Sequence, residues 1–226
     1  MNNYTGTDNL LVMADANNYN KYLLSLVLYQ AKKNEHIVDF GAGIGTFARE
    51  LSRKGYQVHC IEPDPKQADI IRDAGLPVTT SLAEIEDCSI DYLYTLNVLE
   101  HIADDLMMLR QWHQKLKPGG KILVYVPAFQ MLYSSMDRKV GHFRRYTKQT
   151  LTKKLVEAQF HDMEGSYVDS LGFFATLLFK YIGDDTGALN RRALIFYDRI
   201  IFPCSKIFDY LLNSFFGKNV FMVATK

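Results

Sequence analysis

The chain has 226 residues, 48% of them hydrophobic, and a formal net charge of +1 at pH 7. A chain of this length buries one substantial core and is short for two ordinary domains, so we expect a single domain over residues 1–226. The nearly neutral charge gives no extended positive field and does not favour a nucleic-acid partner, whose backbone needs many basic contacts. A local basic patch is compatible with this composition.

Cysteine usage and the lengths of apolar runs indicate a cytoplasmic protein. Cys60, Cys88 and Cys204 lie far apart without paired spacing, which fits neither a disulfide framework nor a zinc site, so we expect reduced thiols in the core. Residues 1–8 lack the basic segment and apolar run of a secretory signal. The longest uncharged run, residues 170–179, is about half of what a bilayer span requires, so we predict no membrane-spanning helix.

Helix-like and strand-like hydrophobic patterns alternate along most of the chain. After a loose N-terminal arm (residues 1–16), the predicted helices span residues 17–33, 46–54, 65–74, 104–116, 147–158 and 171–181. The predicted strands span residues 36–40, 57–62, 77–80, 90–96, 121–126, 161–170 and 219–225. Gly55 and Gly75 follow the second and third helices, as C-terminal glycines commonly do.

Such alternation is typical of an α/β fold. We predict a Rossmann-like open sheet, mostly parallel with right-handed crossovers and an antiparallel last strand, with helices on both faces. In such a sheet the ligand binds at the carboxyl ends of the strands. Residues 127–146 form a connection that is long for a compact domain, so we expect a functional loop on the substrate side.

A glycine-rich turn, Gly-Ala-Gly-Ile-Gly at residues 41–45, follows the first strand and precedes a helix. Glycines permit positive φ and let a ligand approach the backbone closely. Glu62, at the end of the second strand, is positioned to accept hydrogen bonds from ribose hydroxyls. Thr46 stands where a dinucleotide site has its third glycine. A nucleotide ligand without a pyrophosphate therefore fits this turn better.

Four motifs occur in an order that identifies a family. They are residues 38–45 (Val-Asp-Phe-Gly-Ala-Gly-Ile-Gly), Glu62, residues 97–102 (Asn-Val-Leu-Glu-His-Ile) and residues 116–120 (Leu-Lys-Pro-Gly-Gly). Together they resemble the class I S-adenosylmethionine-dependent methyltransferases over residues 17–126. These motifs are highly specific for the cofactor and barely specific for the methyl acceptor.

The resemblance implies S-adenosylmethionine as the cofactor and S-adenosylhomocysteine as the product. In the family, the glycine turn lies against the amino-acid part, the acid at Glu62 holds the ribose, and Asn97 closes the methionine side. The implied cofactor residues are Asp39, Gly41, Ala42, Gly43, Gly45, Glu62, Pro63, Asp64, Ser81, Leu82, Asn97 and Val98. Ser81 and Leu82 depart from the family pattern, because many relatives carry an Asp there for the adenine amino group.

Methyl transfer from a sulfonium is a direct displacement, so the protein mainly aligns the reactants and excludes water. A base is needed only when the acceptor must lose a proton. His101 is the first candidate for a catalytic base because it follows the fourth strand; orienting the loop or capping the next helix is the alternative. Some quinone-ring O-methyltransferases bind a metal through a similar Glu-x-x-Glu-His segment, but Asn97 replaces the first acid. Glu100 and His101 are too few ligands, so we predict no metal.

The segment Gly-His-Phe-Arg-Arg-Tyr at residues 141–146 resembles a segment found in a bacterial subset of these enzymes. His142 is the second catalytic candidate. Arg144 and Arg145 are predicted to clamp a carboxylate or phosphate of the acceptor through bidentate hydrogen bonds. The alternative is that one arginine pairs with Asp137 or a nearby acid and fixes the loop.

Aromatic residues of the same region are predicted to wall the acceptor pocket, with packing as the alternative. They are Phe129, Tyr133 and Tyr146.

Residues 170–216 form an apolar helical cover. The polar residues of its second half fall near one side of a helical wheel, which Phe202 interrupts, and Pro203 is expected to kink the helix. Those polar residues are Asp198, Arg199, Lys206, Asp209 and Asn213.

Several roles stay open for this cover. It packs as core or as a contact in a homodimer, or it covers a greasy substrate, or it rests on the inner face of a membrane as a peripheral contact. Arginines beside an apolar cover suggest a small-molecule acceptor that is anionic and lipid-like or linked to a lipid.

The leading functional hypothesis is a methyltransferase that modifies an oxygen or nitrogen of a small-molecule acceptor. A non-catalytic S-adenosylmethionine-binding partner or regulatory subunit is the alternative from another class. A nicotinamide-dependent oxidoreductase on the same sheet is the third. The sequence leaves open whether the protein is a monomer or a homodimer.

Overall fold

The computed structural model describes residues 12–182 and 191–226. Seven strands form one sheet with the order β3-β2-β1-β4-β5-β7-β6. Their bounds are β1 Ile37–Phe40, β2 Val58–Ile61, β3 Val78–Thr79, β4 Ile90–Leu96, β5 Leu116–Pro127, β6 His161–Val168 and β7 Asn219–Thr225. Strand β7 runs antiparallel to its neighbours β5 and β6, and the remaining pairs are parallel. The predicted α/β fold class is confirmed.

Helices connect these strands and pack beside them. Their bounds are α1 Asn17–Gln30, α2 Thr46–Arg53, α3 Pro65–Asp73, α4 Asp105–Lys115, α5 Ser135–Val140, α6 Lys148–Glu157, α7 Ser170–Ile182, α8 Arg191–Phe196 and α9 Phe202–Leu212. Short 3₁₀ turns occupy Leu82–Glu84, Leu99–His101 and Gln130–Leu132, and a π-helical segment, Tyr197–Ile201, joins α8 to α9. The predicted strands and helices within the described residues all form, most of them with bounds shifted by one to three residues.

Local chemistry explains where these helices begin. Asp64 accepts the backbone N–H groups of Lys66 and Gln67, and Pro65 occupies the first turn of α3, where its missing N–H costs nothing. Thr147 accepts the N–H of Thr150 at 3.1 Å and so caps α6. These caps hold the crossover helices at fixed positions on the sheet.

The core lies on both faces of the central strands. On one face Trp112 of α4 packs edge-on against Phe40 of β1, with ring centroids 4.9 Å apart. On the other face Val27, Leu51 and Ile71 of the first three helices are fully buried against β1 and β2. The carboxyl ends of β1, β2 and β4 are thereby fixed relative to each other, and the site lies there.

Several expectations need correction. The connection at residues 127–146 is not an irregular loop, because Gln130–Leu132 and α5 lie within it. Pro203 lies in the first turn of α9, and the π-helical segment directly precedes that turn, so the polar side of the cover spans two helical segments; a kink at Pro203 stays a prediction. Only Cys60 is a core thiol, since Cys88 and Cys204 are exposed.

Parts of two predicted segments lie outside the described residues, namely residues 1–11 of the N-terminal arm and residues 183–190 of the apolar cover. Residues 12–16 of the arm are described, and Ala16 is buried there. Within the described residues, none of the helices has both the length and the apolar character that a membrane crossing requires.

Candidate active site

The glycine turn after β1 fits closely against the segment that follows β4. Gly41, Gly43 and Gly45 all have positive φ, at 75°, 57° and 76°. A Cβ at Gly41 would lie 2.4 Å from Val98 Cγ2, which is too close for any side chain. Two of the predicted cofactor segments therefore meet at Gly41, where only a glycine fits.

Glu62 lies at the end of β2 and reaches back to the glycine turn. Its Oε2 accepts the Gly43 N–H at 2.7 Å, and its Oε1 accepts the Asp64 N–H at 3.0 Å. The side chain is buried, and this burial raises the pKa of its carboxyl above the ordinary value. The sequence predicted Glu62 as a ribose ligand but carried no signal for its contact with Gly43. The two backbone donors fix the direction in which the carboxylate faces.

Asp39 is a second buried acid beside the turn. The Tyr94 hydroxyl donates to its Oδ2 at 2.8 Å. Burial raises the pKa of Asp39 to about 7, although the Tyr94 hydrogen bond opposes that rise. The sequence did not predict a role for Tyr94. The only signal for it was its position on β4, the strand that lies beside β1.

The remaining predicted cofactor residues lie around this centre. Ser81 is exposed and its hydroxyl accepts the Ala83 N–H at 3.2 Å, while Leu82 packs against the core. Asn97 has a φ of 56° and donates its backbone N–H to the Tyr125 carbonyl at 2.8 Å. The positive φ at Asn97 marks a strained turn of the kind that collects at functional sites.

Tyr19 of α1 is a neighbour of Asn97 that the sequence did not indicate. Its ring packs edge-on against Tyr125, with centroids 6.3 Å apart, and its hydroxyl side lies near Asn97. Burial raises the pKa of Tyr19 to about 12. Helix α1 therefore contributes a wall beside the segment that follows β4.

These residues fit S-adenosylmethionine. The cradle at Gly41 admits no side chain, and a buried strand-end carboxylate lies beside it, as the amino-acid and ribose parts of the cofactor require. Gly45 precedes Thr46, the first residue of α2, directly, so no further glycine extends the turn towards a pyrophosphate.

His142 forms a hydrogen-bonded pair with the buried Asp137. His142 Nδ1 lies 2.7 Å from Asp137 Oδ1, and Arg145 donates to both Asp137 oxygens at 2.9 Å. Burial alone would raise the pKa of Asp137, but the hydrogen bonds from His142 and Arg145 outweigh it and hold that pKa well below its usual range. An ionised Asp137 accepts a proton-bearing Nδ1, which leaves Nε2 of His142 as the basic nitrogen.

Glu100 and His101 lie beside the basic nitrogen of His142. His142 Nε2 is 3.8 Å from Glu100 Oε1, and the His101 and His142 rings are 4.6 Å apart. Glu100 is fully buried, neither of its oxygens has a hydrogen-bond partner, and burial raises its pKa to about 8. Burial and the neighbouring His142 lower the pKa of His101 to about 4, so the His101 ring is neutral near pH 7.

One ligand atom from each of Glu100, His101 and His142 lies within 4.8 Å of the others, so these three residues could hold a metal ion. From the sequence, only Glu100 and His101 were expected as candidate ligands. The expectation that no metal is bound stays a prediction.

The two predicted clamp arginines are engaged within the chain. Arg145 pairs with Asp137, the alternative that the sequence had left open. Arg144 pairs with Asp105 at 2.8 Å and donates to the Ala103 carbonyl at 2.6 Å. Their described contacts fix the loop, and a contact of either arginine with an acceptor stays a prediction.

Both predicted wall tyrosines also hold the loop. The Tyr146 ring is buried and its hydroxyl donates to Asp105 Oδ2 at 2.8 Å. The Tyr133 hydroxyl donates to the His142 carbonyl at 2.6 Å. Tyr146 therefore belongs to the core rather than to an open wall, whereas Tyr133 supports the backbone that carries His142.

Comparison with known proteins identifies the family. The profile of a family described as "Methyltransferase domain" matches residues 15–164, more than half of the chain. A ubiquinone biosynthesis O-methyltransferase of Xanthomonas euvesicatoria is 29% identical over 98 residues, which are 39% of this chain and 41% of that protein. Phosphoethanolamine N-methyltransferase 2 of Caenorhabditis elegans is 30% identical over 41% of this chain and 24% of its own. The chain thus spans less than half the length of these relatives.

Solved structures share the fold. A Thermotoga maritima S-adenosylmethionine-dependent methyltransferase, described as a possible histamine N-methyltransferase, has a TM-score of 0.66 at 16% identity, covering 97% of this chain and 94% of that one. Phosphoethanolamine N-methyltransferase 2 of Haemonchus contortus, solved with S-adenosylmethionine, has a TM-score of 0.61 at 22% identity, covering 92% and 52%. The chain belongs to the methyltransferase-domain family.

Proposed function

We propose that this enzyme transfers the methyl group of S-adenosylmethionine to an oxygen or nitrogen of a small-molecule acceptor, with His142 as the general base. The observation that carries this proposal is the hydrogen-bonded Asp137–His142 pair at the edge of the sheet where the predicted cofactor residues lie. S-adenosylmethionine supplies an electrophilic methyl group on a sulfonium sulfur. The names of the relatives, an O-methyltransferase and an N-methyltransferase, support either acceptor atom.

The arrangement around His142 suits proton removal. Nε2 of His142 takes the proton of an acceptor O–H or N–H while that atom bonds to the methyl carbon and the carbon–sulfur bond breaks. Asp137 holds the ring in the required tautomer and stabilises the imidazolium that forms. His101, with its lowered pKa and its ring facing the backbone of Val140 and Gly141, acts as a positioning residue in this proposal.

We propose that the acceptor is anionic and linked to a lipid. Lys218, directly before β7, supports the anionic part: its ammonium lies 5.3 Å from the centre of the Tyr197 ring. Burial lowers the pKa of Lys218; the Asp169 charge opposes this and the Arg145 charge adds to it. A negative group on the acceptor would stabilise the charged form of an ammonium in this position. The Gly-His-x-Arg-Arg-Tyr segment supports membership of the bacterial subset that carries it.

The test is to incubate the pure enzyme with S-adenosylmethionine carrying a labelled methyl group and with aqueous and organic-soluble fractions of a cell extract. We expect labelled product and S-adenosylhomocysteine from an organic-soluble fraction, and roughly 100-fold less of both, or lower still, from the His142→Gln variant. If the wild-type chain binds S-adenosylhomocysteine but labels no fraction, the non-catalytic alternative replaces this proposal.

The Lys218→Met variant tests the acceptor's charge separately. We expect it to raise the KM for the acceptor about tenfold or more without changing cofactor affinity. An unchanged acceptor KM would remove the support for an anionic acceptor while leaving the assignment of His142 untouched.

A further inference from the structure

The helices after β6 bury a side that carries acidic residues and expose an apolar side. Along the π-helical segment and α9, the side chains of Asp198, Phe202, Ser205 and Asp209 are buried and form one stripe at helical spacing. A second stripe on the opposite side is exposed and apolar. Its members are Phe196, Ile200, Ile207, Leu211 and Phe215. We call this second stripe the outer stripe.

The acids face inward because they cap other helices. Asp198 accepts the N–H groups of Asn18 and Tyr19 at the start of α1, at 3.0 and 2.9 Å. Asp209 accepts the N–H groups of Asp169 and Ser170 at the start of α7, at 3.0 and 2.8 Å. Because this side of the helix is tied down by these hydrogen bonds, the apolar side is left on the surface.

The outer stripe is too exposed for a side chain that belongs to the core. Ile207 is 74% exposed, Leu211 72% and Phe215 72%, and Tyr210 beside them is 87% exposed. Contiguous apolar patches of this kind mark an interaction surface.

The charge around the outer stripe has one sign. Among the described residues of α7, α8, the π-helical segment and α9, the exposed charged side chains are Lys180, Arg191, Arg192 and Arg199. The acids of the same described elements are Asp198 and Asp209, and both are buried. Arg191 is paired with Asp15, whereas Lys180 donates to the Met131 carbonyl, an uncharged group.

We propose that the outer stripe and its basic surround bind the surface of an anionic phospholipid membrane. Apolar side chains enter the interface between headgroups and acyl chains, and arginines and lysines pair with the phosphates. A second copy of this chain is the weaker candidate, because joining two copies of the face would bring arginine against arginine, and the described residues of these helices offer no exposed acid to compensate.

The proposed membrane face adjoins the candidate active site. Phe173 of α7 packs edge-on against Phe129, with centroids 5.4 Å apart, and Lys180 contacts the backbone at Met131. Phe129 and Met131 both belong to the connection that carries His142. Docking through the outer stripe would therefore present this connection to the membrane surface, whichever acceptor the enzyme uses.

The test is flotation of the pure full-length protein with two kinds of vesicle, phosphatidylcholine alone and phosphatidylcholine with phosphatidylglycerol. We expect flotation with the anionic vesicles and at least tenfold less with the neutral ones, and we expect 0.5 M salt (about a 4 Å Debye length) to weaken it. The double variant Ile207→Ser/Leu211→Ser should lose at least tenfold of the bound fraction, and Arg199→Glu roughly fivefold or more.

Matched controls distinguish binding through the outer stripe from non-specific binding by any exposed apolar side chain. Tyr29→Ser and Met107→Ser replace apolar side chains that are 83% and 54% exposed on other surfaces, and these variants should bind as the wild type does. Because every substituted side chain is exposed, thermal unfolding should show all variants folded. Absence of flotation with anionic vesicles would overturn the proposal. So would a concentration-dependent dimer that Leu211→Ser dissociates, since it would assign the face to a second copy.

Discussion

His142 Nδ1 lies 2.7 Å from Asp137 Oδ1, and the same carboxylate is held by Arg145. A histidine oriented in this way is a general base with a fixed tautomer, whereas an isolated loop histidine is not.

The His142→Gln variant should lower kcat by roughly 100-fold to 10,000-fold, the usual contribution of a positioned base, and leave cofactor affinity within about twofold. Steady-state kinetics and calorimetry with S-adenosylhomocysteine measure the two effects. Asp137→Asn should also lower kcat, since Nδ1 of His142 loses the carboxylate that fixes its tautomer. His161→Gln, at an exposed histidine on β6, is the control and should be silent. Full activity in His142→Gln would remove the base from the mechanism.

Glu100 makes stability depend on pH. Its pKa is about 8 in the folded chain against an ordinary value of 4.5, so within this window the folded state keeps a proton that the unfolded state releases. Folding stability should therefore fall as the pH rises from 4.5 to 8, by an amount on the order of 3 kcal/mol. Denaturant unfolding at pH 5 and pH 9 should show this loss in the wild type and a smaller loss in Glu100→Gln.

An exposed acid provides the control for that measurement. Glu157→Gln on α6 should keep the wild-type difference between pH 5 and pH 9. If the free energy of unfolding falls equally between pH 5 and pH 9 in the wild type and in Glu100→Gln, groups other than Glu100 cause the pH dependence.

Gly41→Ala tests the contact between the glycine turn and Val98. The new Cβ would lie 2.4 Å from Val98 Cγ2 at a φ of 75°, so the turn must shift and the affinity for S-adenosylhomocysteine should fall more than tenfold. Gly75→Ala has nearly the same φ, 77°, but nothing within 4 Å of the added Cβ. It should cost about 1 kcal/mol of stability and leave affinity unchanged. Equal loss of affinity in both variants would show that backbone strain, not the collision, is responsible.

Glu62→Gln should lower the affinity for S-adenosylhomocysteine roughly tenfold or more, because a charged acceptor for ribose hydroxyls is replaced by a neutral one. The amide keeps the side chain's size but only one oxygen acceptor, so the N–H of Gly43 or of Asp64 loses its acceptor and the thermal midpoint should also fall. Calorimetry with a nicotinamide dinucleotide should show no tight binding to either protein. Tight dinucleotide binding without S-adenosylhomocysteine binding would instead support an oxidoreductase.

Asp198→Asn should lower the free energy of unfolding by about 1–2 kcal/mol, since α1 loses a charged cap on its first N–H groups. Chemical denaturation measures the change. Asp162→Asn, at an exposed residue of β6, is the control and should fall within about 0.5 kcal/mol of the wild type. If Asp198→Asn leaves the free energy of unfolding unchanged, water must hydrogen-bond to the N–H groups of Asn18 and Tyr19 as well as the carboxylate does.

The fold was predictable because its signals are local. Apolar runs, terminal glycines and capping residues such as Asp64 and Thr147 specify each strand and helix within a few positions, and a parallel sheet then places their carboxyl ends together. The glycine turn and Glu62 were predictable for the same reason, because both belong to one βαβ unit.

Contacts between distant segments were not predictable. Nothing near Glu100 in the sequence indicates that His142 lies beside it. Whether Arg145 binds the acceptor or pairs with Asp137 depends on how residues 127–146 fold back on themselves. The short α5 had one local signal, Ser134 three residues before Asp137, which matches a capping box. In the cover, the helical wheel located a polar side, but it could not show that this side faces the protein, because its acids cap helices elsewhere in the chain.

The cap that Asp198 places on α1 has a consequence for how the chain can be divided. The family match ends at residue 164, yet the first turn of α1 is completed by a carboxylate 179 positions after Tyr19. Helix α1 in turn supplies the Tyr19 wall beside Asn97. Residues 165–226 are therefore no appendage, and deleting them to leave a minimal catalytic fragment would uncap the helix that borders the cofactor site.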